Sequence, residues 1–344
     1  MDAVKNAAKK FLPAAAVKGL KSAVVSRKLR SAFHYDLNRY KQYSSSIVAT
    51  EHQHNLRALI TERYHSVEKG LSLPSPRPGF GANTIRTLLG HVDEYLTRFG
   101  ADEFLETVGS VLSAYLDFNR EAGVGQADVP QFDRINALLG KIGSIPNSAG
   151  VREISRQDID VAISGVGLDF FLTRHSVRQY APEPVETDAV EFAAAAALKS
   201  PAVCNRQFSR VYSYLERESI DKVLRVQGGA NGFSDQLTGL AIITTNLRSY
   251  WNEGQRNQAW VDGGLFAMSF ILGLHAQGIG TVALNWSKGP ELDQKMRTTT
   301  GISQEEVIVM LVGFGRLRDE YKVATSPRQS LESVLTLDPP VSLV

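Results

Sequence analysis

Two guanidinium groups flank a hydroxyl within five residues in the run Arg174-His175-Ser176-Val177-Arg178. That composition suits a phosphate dianion. Arginine presents a planar fork of donors and serine a short hydroxyl donor, and charge-assisted hydrogen bonds to phosphate are about twice as strong as neutral ones. Taken alone, the same string also fits a charged helix end facing water. A second cluster, His52, His54, His65 and Glu68, carries ligating side chains, but its spacing matches no compact zinc pattern and no metal is expected there. The piece Tyr64 to Leu71, followed by the proline-rich Leu73 to Gly81, gathers His65, Glu68, Lys69 and Arg77. Its ordinary reading is a helix stopped at a Gly70 C-cap and an extended connection. Its functional reading is a lid or substrate-recognition element.

More chemistry-bearing pieces follow in order. They are Ser200-Pro201-Ala202-Val203-Cys204-Asn205-Arg206-Gln207, strand-like Val211 to Leu215, Gly278-Ile279-Gly280 running into Ala283-Leu284-Asn285-Trp286, and Val307 to Gly315. In this order and spacing, residues 165–335 resemble the FMN-dependent nitroreductase superfamily. Its members share an R-x-S-x-R phosphate clamp, a P-S-x-x-N-x-Q flavin loop, a G-x-G strand start and a strand ending in G-x-G.

The resemblance implies an FMN cofactor whose phosphate is held by Arg174, Ser176 and Arg178, with His175 beside it. It implies a loop of Pro201, Ala202, Val203 and Asn205 given across the subunit boundary of a homodimer, and a strand end at Ala283, Leu284 and Asn285 that turns a backbone N–H to flavin N5. Asn231 aligns with the flavin O2 region and Arg328 with a second phosphate contact. The chain departs from the pattern at Ala202 and Val203, where small hydroxyl residues are usual, and at Ser326, where lysine is usual. No catalytic side chain is assigned, because the flavin performs the redox chemistry and the protein binds, orients and tunes it. Neither glycine pair extends to G-x-G-x-x-G, so no separate dinucleotide-binding domain is expected and NAD(P)H would dock transiently. Tyr250, Trp251 and Trp286 are candidates to stack on a flat substrate, with core packing as their plain alternative. Cys204 reads as a small filler, or as a redox thiol.

At 344 residues the chain is long for one core, and two folding units are expected. Its 38 basic and 36 acidic residues nearly balance, which gives no reason to expect nucleic acid as a partner. The single cysteine excludes an intrachain disulfide and fits a reducing, cytoplasmic setting. Charge is uneven, however: residues 1–46 hold ten basic side chains against Asp2 and Asp36, a local +8 that leaves −6 elsewhere. Val4, Ala8, Phe11, Val17, Leu20, Val24 and Phe33 recur at roughly helical spacing, so residues 1–46 read as a basic amphipathic head broken at Pro13. It suits peripheral contact with an anionic membrane, or packing on its own protein or a dimer mate. A signal peptide fits poorly, since the short apolar piece contains Pro13 and meets Lys18 and Lys21 at once.

These residues need elements to place them. Residues 47–150 read as a helical extension, with Ile85, Leu88, Leu89, Val92, Tyr95 and Leu96 on one face. The glycine- and proline-rich stretch Gly123 to Gly150, holding a short helix at Gln131 to Leu139, marks the junction. Residues 165–344 read as an α+β domain, by resemblance a mostly antiparallel sheet flanked by helices in an intertwined dimer. Helices are expected at 155–173, 187–199 (capped by Thr187 with Asp188), 256–277 and 290–299. Strands are expected at 208–216, 238–245, 281–286 and 307–314. Trp260 to Leu274 is apolar on most faces and should be buried all round. The function implied is two-electron transfer through the flavin to a nitroaromatic, quinone or activated alkene. The alternatives are a flavin oxidase or dehydrogenase acting on one metabolite, and a non-catalytic adaptor suggested by Ala202, Val203 and Ser326.

Overall fold

Apolar residues at three- and four-residue spacing build the first unit. In the computed structural model, which describes residues 14–47, 51–143 and 149–342, they form α2 (Gln53–Leu71), α3 (Ala82–Phe99), α4 (Glu103–Glu121) and α5 (Phe132–Ile142). Their inward faces make one core, with Leu56, Ile60, Ile85, Leu88, Val92, Tyr95, Val108, Leu112 and Tyr115 sealed from water. Each such side chain contributes roughly 1.5–3 kcal/mol by leaving water. Gly70 does not stop α2: the helix runs to Leu71, and the Ser72 amide closes it on the Glu68 and Gly70 carbonyls. The glycine is needed because the Phe80 ring lies where its Cβ would be.

The second unit is a four-stranded antiparallel sheet in the order β1-β2-β4-β3, with β1 at Ser209–Tyr214, β2 at Gly239–Asn246, β3 at Ile279–Asn285 and β4 at Glu306–Arg316. β2 is buried along its whole length, as a central strand covered on both faces must be. One face packs on Ile220, Val223 and Leu224 from α9 (Arg217–Gln227) and on Met296 from α11 (Pro290–Thr300). The other packs on α8 (Thr187–Ala197) and α10 (Gln258–His275) through Val190, Ala193, Phe266, Phe270 and Leu274.

Several local expectations change. The segment 155–173 is two short helices, α6 (Arg156–Ala162) and α7 (Leu168–Leu172), because Gly165 takes φ +87° between them. Thr187 is the first residue of α8, and Glu186, without a side-chain bond, precedes it. Helix α9 was not expected, although Ile220, Val223, Leu224 and Gln227 carry its period. Helix α10 is not buried all round. Trp260, Val261, Leu265 and Met268 are 42–51% exposed along one stripe.

The basic head is the long helix α1 (Ala14–Tyr43); Val4, Ala8, Phe11 and Pro13 lie outside the described residues. Its last turns dock mainly on the sheet unit, and its final residue, Tyr43, accepts at its carbonyl from Asn55 Nδ2 of α2 at 3.0 Å. Tyr35 Oη donates to Asp293 at 2.7 Å, Arg39 donates to the carbonyls of Gln304 and Glu306, and Tyr40 Oη donates to the Asn252 carbonyl. Leu20, Val24, Leu29 and Phe33, further up the helix, face solvent. Among the described residues no helix is long and apolar enough to cross a membrane.

Candidate active site

The run 174–178 lies extended along the open edge of β3. Ser176 bridges Thr281 in parallel fashion, and the Val177 amide donates to the Thr281 carbonyl at 2.9 Å. Val177 is buried, while Arg178 is exposed and its Nη1 donates to the Ser176 carbonyl at 3.4 Å; alternate residues of an extended chain share a face, which suits Arg174, Ser176 and Arg178 to one side. This approach explains the glycine pairs that extend to no dinucleotide fingerprint. A Cβ at Gly280 would sit 3.2 Å from Val177, and one at Gly315 would sit 2.8 Å from Tyr180. Burial pushes the Tyr180 phenol far above its usual value, and the hydroxyl donates to the Val177 carbonyl, pinning the segment.

Main-chain groups alternate along an edge strand. Since the Thr281 carbonyl turns outward to Val177, the main-chain groups of Ala283 and Asn285 turn outward as well. The Asn285 carbonyl accepts from Gln227 Nε2 at 3.2 Å, which brings the 227–233 loop to the same edge. There the Arg178 guanidinium lies 5.9 Å from the Phe233 ring centroid, two residues from exposed Asn231. The structure therefore gathers Arg174, His175, Ser176, Arg178, Asn231, Ala283, Leu284 and Asn285 at one edge. Arg328 is exposed, and its segment passes this edge at Lys322, whose amide donates to Gln179 Oε1 at 3.0 Å.

The loop of Pro201, Ala202, Val203 and Asn205 leads into β1, at the opposite edge of the sheet. One chain does not bring the two segments together. The loop is nonetheless held in an unusual shape. Cys204, Asn205 and Gln207 take φ of 51°, 55° and 53°, a left-handed conformation that costs a residue with a side chain about 1 kcal/mol or more. Asp262, from α10, accepts from the Val203 amide at 3.4 Å, from Tyr250 Oη at 3.1 Å and from Gln258 Nε2 at 2.8 Å. Arg206 is buried and donates to the Ser249 carbonyl, Gln255 Oε1 and Glu62 Oε2.

The aromatic candidates separate. Tyr250 is 1% exposed, and burial together with Asp262 drives its phenol far upward; it offers no face for stacking. Trp286 is nearly buried and donates Nε1 to Asp293 at 2.9 Å. Trp251 is 37% exposed. Burial raises the Asp293 carboxyl, but hydrogen bonds from Trp286 and Arg297 and the Arg297 charge outweigh it, leaving Asp293 below its ordinary value.

The piece Tyr64 to Leu71, offered by the sequence as a lid or substrate-recognition element, lies on the helical unit beside the 199–207 loop, whereas the contact of Glu62 with Arg206 had no local signal. Tyr64 and Glu68 on α2 face Asn205 and Gln207 across an open cleft of about 710 Å3, with Arg152 and Lys199 on its rim. His65 Nδ1 lies 3.0 Å from Glu68 Oε2, and Glu68 Oε1 accepts from the Gly150 amide. Arg77 and the prolines turn away toward α4, where Gly79 and Phe80 bond Asn119 and Tyr115. His52 and His54 stack at 5.3 Å, away from His65 and Glu68; among the described residues no group of three or more His, Cys, Asp or Glu side chains could hold a metal.

Residues 172–227 and 226–316 match the Nitroreductase family. No curated protein matches the chain. Among solved structures, a hypothetical oxidoreductase from Bacillus subtilis is 18% identical over 51% of this chain and 74% of its own, with a TM-score of 0.43. Nitroreductase A from Vibrio parahaemolyticus is 15% identical over 52% of this chain and 77% of its own, with a TM-score of 0.41. An FMN-dependent nitroreductase from Clostridium difficile is 16% identical over 46% of this chain and 92% of its own, with a TM-score of 0.40.

Proposed function

With a nitroreductase-family domain spanning residues 172–316 as the premise, we propose that the protein is a homodimeric FMN-dependent oxidoreductase. The observation that carries this reading is the run Arg174 to Arg178 lying along the edge of β3, with Ser176 bridging Thr281 and Arg178 exposed. Two cationic forks and a hydroxyl fit a phosphate. The outward main-chain groups of Ala283 and Asn285 fit the edge of a flat heterocycle, and Asn231 stands at the same edge. Arg328 is a further candidate for the phosphate, from the tail that passes Gln179.

Two features support the dimer reading. Loop 201–205 lies at the far edge of the sheet from Ser176, so one chain supplies the two halves of the flavin site at opposite ends. The stripe Trp260, Val261, Leu265 and Met268 on α10 leaves apolar surface that a second copy would cover. In that arrangement each flavin lies between the β3 edge of one protomer and the loop of the other.

Bound FMN supplies two-electron redox chemistry. The chain's own groups bind and orient it. Arg174, Ser176 and Arg178 fix the phosphate end, main chain at 283–285 fixes the ring edge, and Asn205 offers its amide. Ala202 and Val203 contribute packing and main-chain groups only. NAD(P)H is the proposed donor, and the acceptor is a small flat molecule such as a nitroaromatic, quinone or activated alkene. Trp251, 37% exposed, remains a candidate to stack on it.

The purified protein is expected to be yellow, to release FMN on denaturation, and to lose its flavin absorbance under anaerobic NADH or NADPH. Colourless protein that takes up no FMN would defeat the proposal. The cleft between α2 and loop 199–207 favours a second reading, a flavin oxidase or dehydrogenase whose metabolite is selected by the helical unit. Under that reading NAD(P)H leaves the flavin band unbleached and one metabolite reduces it.

A further inference from the structure

We propose that Glu62, on the helical unit, is a positioning residue for the flavin-facing loop: through Arg206 it holds Cys204, Asn205 and Gln207 in their left-handed shape. This rests on the reading that the loop faces FMN, and goes beyond it by giving the appended helices a part in the site.

Left-handed residues with side chains persist only where their surroundings over-determine them, and three of them fall within four positions here. Arg206 stands in the middle of that run with its side chain 1% exposed. Two of its contacts, the Ser249 carbonyl at 2.6 Å and Gln255 Oε1 at 2.9 Å, are neutral and belong to the sheet unit. The third is the Glu62 carboxylate at 2.8 Å, which comes from α2, and the Glu62 side chain is itself only 15% exposed. A buried guanidinium without its anion is strongly disfavoured. Loss of Glu62 therefore drives Arg206 toward water, and the backbone on both sides must follow. The consequence reaches Asn205, whose Oδ1 accepts from Gln207 Nε2 at 2.7 Å. That bond commits the Asn205 amide nitrogen as the group presented to a ligand acceptor. Once the left-handed turn relaxes, this orientation is lost.

Cys204, the only cysteine in the chain, lies in the loop and reports on it directly. The test compares wild-type, Glu62→Gln and Glu62→Asp full-length proteins, together with Asp102→Asn as a control. Asp102 pairs with Arg57 at 2.6 Å inside the helical unit, away from the loop. Two quantities are read: the rate of Cys204 labelling by a chromogenic disulfide reagent in apoprotein, and the FMN dissociation constant from fluorescence quenching. Glu62→Gln is expected to speed labelling about tenfold and weaken FMN about tenfold. Glu62→Asp, which keeps the charge, should fall between it and wild type, and provides the comparison if Glu62→Gln does not fold. Asp102→Asn should lower the melting temperature and leave both quantities unchanged. In an Arg206→Gln background, Glu62→Gln should add nothing further. Wild-type labelling and FMN affinity in both Glu62 variants would overturn the positioning role. Faster labelling in a protein that binds no FMN would keep the loop restraint and overturn the flavin reading alone.

Discussion

The helical unit hides its apolar surface and the sheet unit does not. Between Gln53 and Ile142, Leu73 is the one large hydrophobic residue among the described residues that is largely exposed. On the sheet unit the exposed set includes Phe171, Leu172, Phe192, Leu198, Trp260, Val261, Leu265 and Met268, concentrated on α8, α10 and the segment before Arg174. The four helices close one core among themselves. A sheet with two faces needs two covers, and α10 covers it with one side while presenting an apolar stripe on the other. The contrast teaches that the first unit closes its core within one chain, whereas the second leaves an apolar stripe uncovered.

Core substitutions should break the comparison most visibly. Leu88→Ala, at a site sealed within the helical unit, is expected to cost about 2–5 kcal/mol by chemical denaturation, equally at all protein concentrations. Leu265→Asp should instead leave the monomer folded and weaken self-association by about 2 kcal/mol or more, roughly thirtyfold, with flavin lost in parallel. Light scattering and FMN titration across concentration separate the two. An unchanged mass for Leu265→Asp would remove the stripe from the interface. Arg174→Ala and Arg178→Ala probe the other end of the proposed flavin site: each is expected to weaken FMN about tenfold without altering mass, in line with hydrogen bonds to charged groups worth about 1.5–3 kcal/mol.

The docking of α1 offers a pH test. Asp293 is held below its ordinary value when folded, so its contribution is present above the unfolded carboxylate range near about 4 and is lost as pH falls through the lower folded value. Asp36 runs the opposite way, since burial raises it. Amide exchange at residues 35–43 should therefore accelerate as pH drops below about 4, after correction for the intrinsic rate, and Asp293→Asn should abolish that step. Smallest of all, Arg120→Ala breaks an exposed pair with Asp117 and should change stability by less than about 0.5 kcal/mol.

What could be read early was local. Strand positions matched to within two residues because β-branched and glycine patterns are written in neighbouring residues, and so was the period of α3. Helix α9 has its period at Ile220, Val223, Leu224 and Gln227 yet carries no stronger local signal, and 155–173 divides into two helices because Gly165 and Gly167 interrupt it. The aromatic candidates separate for a different reason. Tyr250 and Trp251 are adjacent, yet one is sealed against Asp262 and the other is half open, and no local pattern separates them.

The amino-acid order by itself determined the phosphate-suited spacing of Arg174, Ser176 and Arg178, the alternation of the strands and the apolar character of residues 260–274, because each is a property of residues a few positions apart. Tertiary structure alone decided which side of α10 stays uncovered, that α1 docks on Asp293, and that Glu62 meets Arg206 from 144 positions away. Periodicity counts apolar faces but does not say what covers them. An ion pair between distant segments leaves no trace in the sequence around either partner, since only folding brings the two charges within reach.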